Sequence, residues 1–299
     1  MDGTDLGSTL GCLLISSILV QFLTGVMTVQ VWKYYRECCE DGIGLKLFVG
    51  LVVTADIVHS ITVSHFVYHY TVISFGNFDA LRRMTSSLKV SFILAGPIEL
   101  AIQTYYCLRV YRVTQSVFIG LTCEILAIVC QSLHLWTCII AFHANSTIDA
   151  IGIIPGPRLP QLVASQSCRT AADLIIAICV CGSLLRMRSG TFPTTAKMVD
   201  RILAFTIGSG LLTSLSSIIL ITTYVIMRNY IFLIFIYTGP KLYGNSLLLS
   251  LNERRHLRED LVHGTSFLFP ITIRSISFQP MLRTHNQTTC EAESEALSG

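Results

Sequence analysis

Gly44–Tyr70, GLKLFVGLVVTADIVHSITVSHFVYHY, is the stretch on which the fold turns. An α-helix of about 20 apolar residues crosses the hydrocarbon layer of a bilayer, and this run is long enough. Yet Asp56 and His59 sit near its middle. Ionisable groups at that depth are costly against lipid, so they face other protein or a wet cavity. The stretch therefore calls for further helices that enclose it.

The composition agrees. Charged residues make up 13% of the chain and hydrophobic ones 52%, against a soluble norm of about 25% charged. The reading is all-α, an integral membrane bundle of seven transmembrane helices. The spans are expected near Leu6–Trp32, Gly44–His65, Ser86–Leu108, Gln115–Phe142, Leu162–Leu185, Ile202–Ile226 and Tyr230–Leu251. No alternating barrel pattern competes with helices. Residues 1–251 then form the transmembrane domain, and 252–299 a mostly disordered tail, since the later run Gly264–Met281 is broken by Pro270, Arg274 and Pro280. The opening MDGTDLGS lacks the basic segment of a cleaved signal peptide. The net charge of +3 is small and scattered over loops, so nucleic acid is not an expected partner. The expected partners are membrane lipids, with a small-molecule or lipid ligand unspecified.

Orientation follows from Lys and Arg. With the N-terminus outside, Lys33, Arg36, Lys46, Arg109, Arg112, Arg186, Arg188, Lys197, Arg201, Arg254, Arg255 and Arg258 flank the cytoplasmic side. Only Arg82, Arg83, Lys89, Arg158 and Arg228 flank the other. The positive-inside rule thus predicts an outer N-terminus and a cytoplasmic C-terminus, in the plasma membrane or an endomembrane. The Asn145-Ser146-Thr147 sequon falls in an outer loop as a glycosylation candidate, and Cys38-Cys39 at the inner interface as a palmitoylation candidate.

Asp56, His59, Glu99, Asp173 and Lys241 lie at similar depth on the second, third, fifth and seventh spans. Five such groups predict a polar interior in which Lys241 pairs with a carboxylate. His59 is placed to bond Asp56, three residues away on the same helical face. Arg169, one turn before Asp173, is expected to neutralise it. Glu99 and Gln103 share a face, and Glu124, Gln131 and His134 form a polar stripe on the fourth span. His65 and His69 are spaced to clip a metal, but two ligands are not a site and an interfacial aromatic and histidine belt accounts for them. Thr206, Gly210, Ser214 and Ser217 are a small-residue packing face.

Two blocks carry a resemblance. They are FTIGSGLLTS from Phe205 to Ser214, and KLYGNSLLLSLNER from Lys241 to Arg254. A third set is Asp56-Ile57-Val58-His59 with His65, Tyr68, His69 and Gly76-Asn77, which is similar to a DTxH…H..Y.Y…GN pattern. Together with Asp173 they resemble, over about residues 5–258, a seven-span integral membrane family of unknown function from mushroom-forming fungi. The resemblance implies that Asp56, His59, Lys241, Tyr243, Asn245, Ser246 and Asn252 are family features. Gly208 stands where Asn is expected, and Pro240 and Arg169 are departures. No activity comes with it.

The polar interior of Asp56, His59, Glu99, Asp173, Lys241, Tyr243 and Asn245 is consequently read as the ligand-facing part of a receptor-like or sensing protein. Pro240-Lys241-Leu242-Tyr243 is similar to the PxxY of rhodopsin-like receptors, although Leu108-Arg109-Val110-Tyr111 matches their DRY poorly. One alternative is an intramembrane metal-dependent lipid hydrolase, weakened by the lack of histidine in the sixth and seventh spans. Another is a proton-coupled transporter using Asp56, Glu99 and Lys241. The sequence assigns no catalytic residue, no cofactor and no metal site.

Overall fold

The computed structural model describes residues 3–37, 41–77, 84–143, 159–188, 210–227 and 231–265, and among these there are seven helices and no strand. Helix α1 spans Gly3–Glu37, α2 Ile43–Tyr68, α3 Ser86–Thr114, α4 Val117–His143, α5 Leu159–Arg188 and α7 Phe232–Thr265. Helix α6 covers 210–222 and winds into a π turn over Thr223–Met227. A second π turn, His69–Ile73, closes α2. Several helices outrun the expected spans by a turn or more. The largest difference is at α7, which continues to Thr265 rather than ending near Leu251. Its charged continuation from Asn252 to Asp260 has no Gly or Pro, so it leaves the apolar region without leaving the helix. Asn145, Cys38, Cys39, Thr206, Gly208 and the chain from 266 onward lie outside the described residues.

Three helical segments, Leu10–Glu37, Ile43–Ile73 and Val117–Ile139, are long and apolar enough to cross a membrane, and Gly210–Ile226 is a shorter apolar helix. Helices α3, α5 and α7 fall below that hydropathy because they carry most of the buried polar groups, including Glu99, Gln103, Arg169, Asp173, Lys241 and Asn252. The distribution is inverted relative to a water-soluble protein. Lys241 and Asp56 are 0% exposed, whereas Phe22 is 66% and Leu51 70% exposed.

Side-chain contacts fix the directions of the helices. Gln21 meets Ser60 and Ser64, while Tyr35 meets Lys46, so α1 and α2 are antiparallel. Thr104 meets Glu124 and Phe92 meets His134, so α3 and α4 are antiparallel too. Their connection is short. Gln115 turns it at φ 54°, with its N–H bonded to Tyr111 O at 2.9 Å. By contrast α1 and α7 run parallel. Asn245 Nδ2 donates to Leu23 O at 3.1 Å and Asn252 Nδ2 to Gln30 O at 3.0 Å, a step of seven residues on both helices. Leu13, Val20, Met27 and Tyr34 repeat that step as the buried edge of α1, the register of a coiled-coil seam. Parallel first and last helices are what up-and-down alternation of seven helices produces.

Among the described residues three apolar clusters form, the smallest of Cys107, Val110, Cys123 and Ile176, and the two larger ones lie toward opposite ends. Leu13, Val20, Val63, Phe66, Tyr70, Phe232 and Tyr237 build the first. Met27, Tyr34, Val49, Val52, Ile102, Leu247 and Leu251 build the second. Between them lies the level of Asp56, Glu99 and Lys241, where the polar groups collect.

Candidate functional site: two buried charge centres beside α7

Successive residues of a helix turn by about 100°, so Lys241 points away from both Gly239 and Tyr243. This rotation splits the expected single interior into two centres, one on each side of α7.

On the α2 side, Lys241 Nζ lies 2.7 Å from Asp56 Oδ2, donates to Asp56 O at 2.7 Å and to Ser60 Oγ at 2.6 Å. The ammonium thus meets three oxygens, two as hydrogen-bond acceptors and one as its ion-pair partner, which is what a fully buried cation requires. The network continues into α1, since Ser60 Oγ is 2.7 Å from Thr24 Oγ1 and Gln21 Nε2 donates to Ser60 O and Ser64 Oγ. The expected pairing of Lys241 with a carboxylate is present, and that carboxylate is Asp56. The expected His59–Asp56 bond is not. The ammonium takes the aspartate, leaving Asp56 Oδ1 and His59 Nδ1 buried without a hydrogen-bond partner.

On the other side, Arg169 of α5 pairs with Glu99 of α3, and Tyr243 OH donates to Asp173 Oδ2. Thr213 of α6 also contacts Asp173 through a hydrogen bond. This corrects the expected Arg169–Asp173 neutralisation. Spacing along α5 puts both residues on one face, but the long arginine reaches across to α3 while the short aspartate meets α6 and α7. Gly239 packs alongside the pair, where a side-chain carbon would make an ordinary 3.7 Å contact with Glu99 Oε1. A cavity of about 40 Å³ reaches this pair among Phe92, His134, Gln166, Ser217 and Tyr243. A smaller one of about 30 Å³ lies beyond Tyr243, against Tyr106, Asp173, Thr213 and Ser246. One water needs roughly 10–15 Å³ on this measure, so each holds a few water-sized occupants at most.

Gly239, Tyr243, Ser246 and Ser250 follow helical spacing along one face of α7, and Arg109 Nη1 donates to Ser250 Oγ at 2.8 Å at the far end. That spacing was the available signal for Ser250, whereas Tyr106 on α3 and Thr213 on α6 had none; sequence reasoning singled out none of the three as site residues. Asn245 joins neither centre; it is part of the α1 seam. Glu124 and His134 are held by Thr104 and by Phe92 O, and Gln131 packs against Gly96. His65 contacts Ser87 Oγ at 2.9 Å and His69 contacts Ser74 Oγ at 3.3 Å, so each ring has its own hydroxyl partner. Among the described residues no three of His, Cys, Asp or Glu converge as metal ligands would. The small-residue face of α6 packs as expected where it is described. A side-chain carbon on Gly210 would lie 3.1 Å from Ala177 Cβ, and Ser214 and Ser217 are buried.

Residues 169–256 match the profile of a family of unknown function (DUF6534). The match opens at Arg169 and takes in Asp173, Thr213, Lys241, Tyr243 and Ser246, the α5 to α7 half of both centres. It agrees with a sequence resemblance to a family of unknown function and brings no activity with it. Comparison with curated proteins and with solved structures returns no match.

Proposed function

We propose that the chain is a seven-span membrane protein, outer at its N-terminus, that acts as a receptor-like sensor with α7 as its moving element. One observation carries the reading. Lys241, fully buried and bound to α2, follows directly on Pro240. Proline removes the hydrogen bond to the carbonyl four residues earlier and loosens the helix at that point. α3 carries Pro97 two residues before Glu99, so two of the four helices that hold buried charge have a proline beside it. The helix that would shift continues through its charged part to Thr265. The mostly apolar cavity beside Glu99 and Arg169 is the entry for a ligand. It is far below the roughly 300 Å³ of an ordinary ligand pocket, so binding requires the helices around it to part.

The test is hydrogen–deuterium exchange of the full chain in nanodiscs against a panel of lipids and small amphiphiles. A ligand that acts through α7 changes exchange over 240–253 while sparing the α1 residues 13–20. A panel without effect on 240–253 overturns the sensor reading. The unpartnered Asp56 Oδ1 and His59 Nδ1 favour a second reading, proton-coupled transport. Proton uptake into potential-driven proteoliposomes, lost in His59→Ala, would support that instead. The hydrolase reading has no ligand geometry behind it among the described residues.

A further inference from the structure

The cavity beside Glu99 and Arg169 is mostly apolar, and its polar groups are of two kinds. Some are already engaged. Arg169 is bound to Glu99, His134 meets Phe92 O, and Tyr243 holds Asp173. Three are not. Gln166 is bonded through its backbone oxygen, to Thr170, and among the described residues no hydrogen bond engages its side-chain amide or the hydroxyls of Ser216 and Ser217. These three residues are 8%, 9% and 6% exposed, and all three line the cavity. Buried polar groups ordinarily find partners, so three without one around a single space point to an occupant.

The wall also has a direction. Phe92 of α3 and Phe235 of α7 lie about two turns before Glu99 and Tyr243, and Leu220 of α6 about two turns after Thr213. The lining thus passes from polar to apolar along its length. At about 40 Å³ the space takes a head group of a few atoms and not a chain. A chain has its path along Leu220, Phe235 and Ile236, of which the last two are only half-buried. An amide and two hydroxyls are neutral groups that donate and accept. A carboxylate or ammonium head would have to break the Arg169–Glu99 pair or stay uncompensated, which is costly for a buried charge. A hydroxyl meets the three free groups and leaves that pair intact.

We propose that the ligand of this cavity is an uncharged single-chain amphiphile with a hydroxyl head, of the long-chain alcohol class. Its head bonds Gln166, Ser216 and Ser217, and its chain runs between α6 and α7. The assignment rests on the sensor reading in taking this cavity as the ligand entry.

The experiment is photolabelling of the full chain in nanodiscs with a diazirine-bearing dodecanol, mapped by peptide mass spectrometry. Label is expected on the peptides that hold Ser216–Leu220 and Phe235–Leu242. Unlabelled dodecanol competes, whereas dodecanoate and dodecylammonium at equal membrane concentration do not. Ser217→Ala and Gln166→Leu each raise the dodecanol needed for half competition about three- to tenfold, the scale of one hydrogen bond. Neither lowers the unfolding midpoint of the ligand-free chain, because the group removed has no partner there. Should Gln166→Leu not fold, Ser216→Ala and Ser217→Ala decide. Competition by the charged analogues, absence of label from these peptides, or unchanged competition in both serine variants overturns the proposal; a cavity that holds water alone gives the second of these. Hydrogen–deuterium exchange on the same samples separates the ligand from the sensor. Dodecanol that labels the cavity and leaves 240–253 unchanged sustains the ligand class and overturns the sensor reading, and a response of 240–253 to the charged analogues alone does the reverse.

Discussion

Lys241 shows at the scale of one residue why a buried charge is a commitment. Its three oxygen partners all lie on α2, and none of them is solvent. Lys241→Met leaves the buried Asp56 carboxyl with no counter-charge. Breaking one half of a buried pair costs about 3–5 kcal/mol, whereas removing both halves is often close to neutral. Lys241→Met is therefore expected to lower the unfolding midpoint sharply, and the double variant Lys241→Met with Asp56→Leu to recover most of the loss. A double-mutant cycle of unfolding midpoints in detergent measures the coupling, and additive losses would show that the pair is not the stabilising unit. The ionisable residues of this centre were legible in the sequence, because Asp56 and Lys241 stand out inside apolar runs. Their partners were less so. Helical spacing gives the face a residue occupies but not which helix lies opposite or how far a side chain reaches. The same limit applied to Arg169, which spacing paired with Asp173 and the structure pairs with Glu99.

At the scale of elements, the helices are set by close approaches that single small residues permit. Gly96 is the tightest. A side-chain carbon there would run into the amide of Gln131 and come within 3.0 Å of His134 Cδ2, both on α4. Overpacking of this kind typically costs about 1–3 kcal/mol. Gly96→Ala should push α3 from α4 and destabilise by that order, and Gln131→Ala added to it should restore stability, as read from unfolding midpoints of the two variants. No rescue would mean that the α3–α4 interface is not set by this contact. The helices themselves were mostly legible as apolar runs, with ends differing by a turn or more. Hydropathy marks where lipid stops, whereas a helix stops where its backbone loses good formers or meets Gly or Pro, as α7 shows by continuing to Thr265. The parallel seam of α1 and α7 was not legible, because the seven-residue step of Asn245 and Asn252 matters only once Leu23 and Gln30 lie opposite.

Among the described residues, large apolar side chains face outward at the level where charges are buried. Asn245, one turn beyond Lys241 on α7, touches Leu23 of α1. Phe22, the neighbour of Leu23, is 66% exposed while Lys241 is 0% exposed. Water would drive such an arrangement toward aggregation, since contiguous apolar surface of this extent is rare on soluble monomers. Lipid stabilises it. The two solvents make opposite predictions for Phe22→Lys. If the outer face meets water, a lysine replaces an exposed phenylalanine at little cost and improves solubility. If the face meets the middle of a bilayer, the charge costs about 2.5–3.5 kcal/mol on insertion scales, and a helix whose neighbours are already polar inside has no room to turn it inward. The expected outcome is less membrane-integrated protein and a lower unfolding midpoint in nanodiscs for Phe22→Lys, measured by carbonate extraction and thermal unfolding. Phe22→Leu should behave as wild type. A fully extractable wild-type chain, or Phe22→Lys more soluble and equally stable, would refute the membrane reading that joins the sequence to the fold.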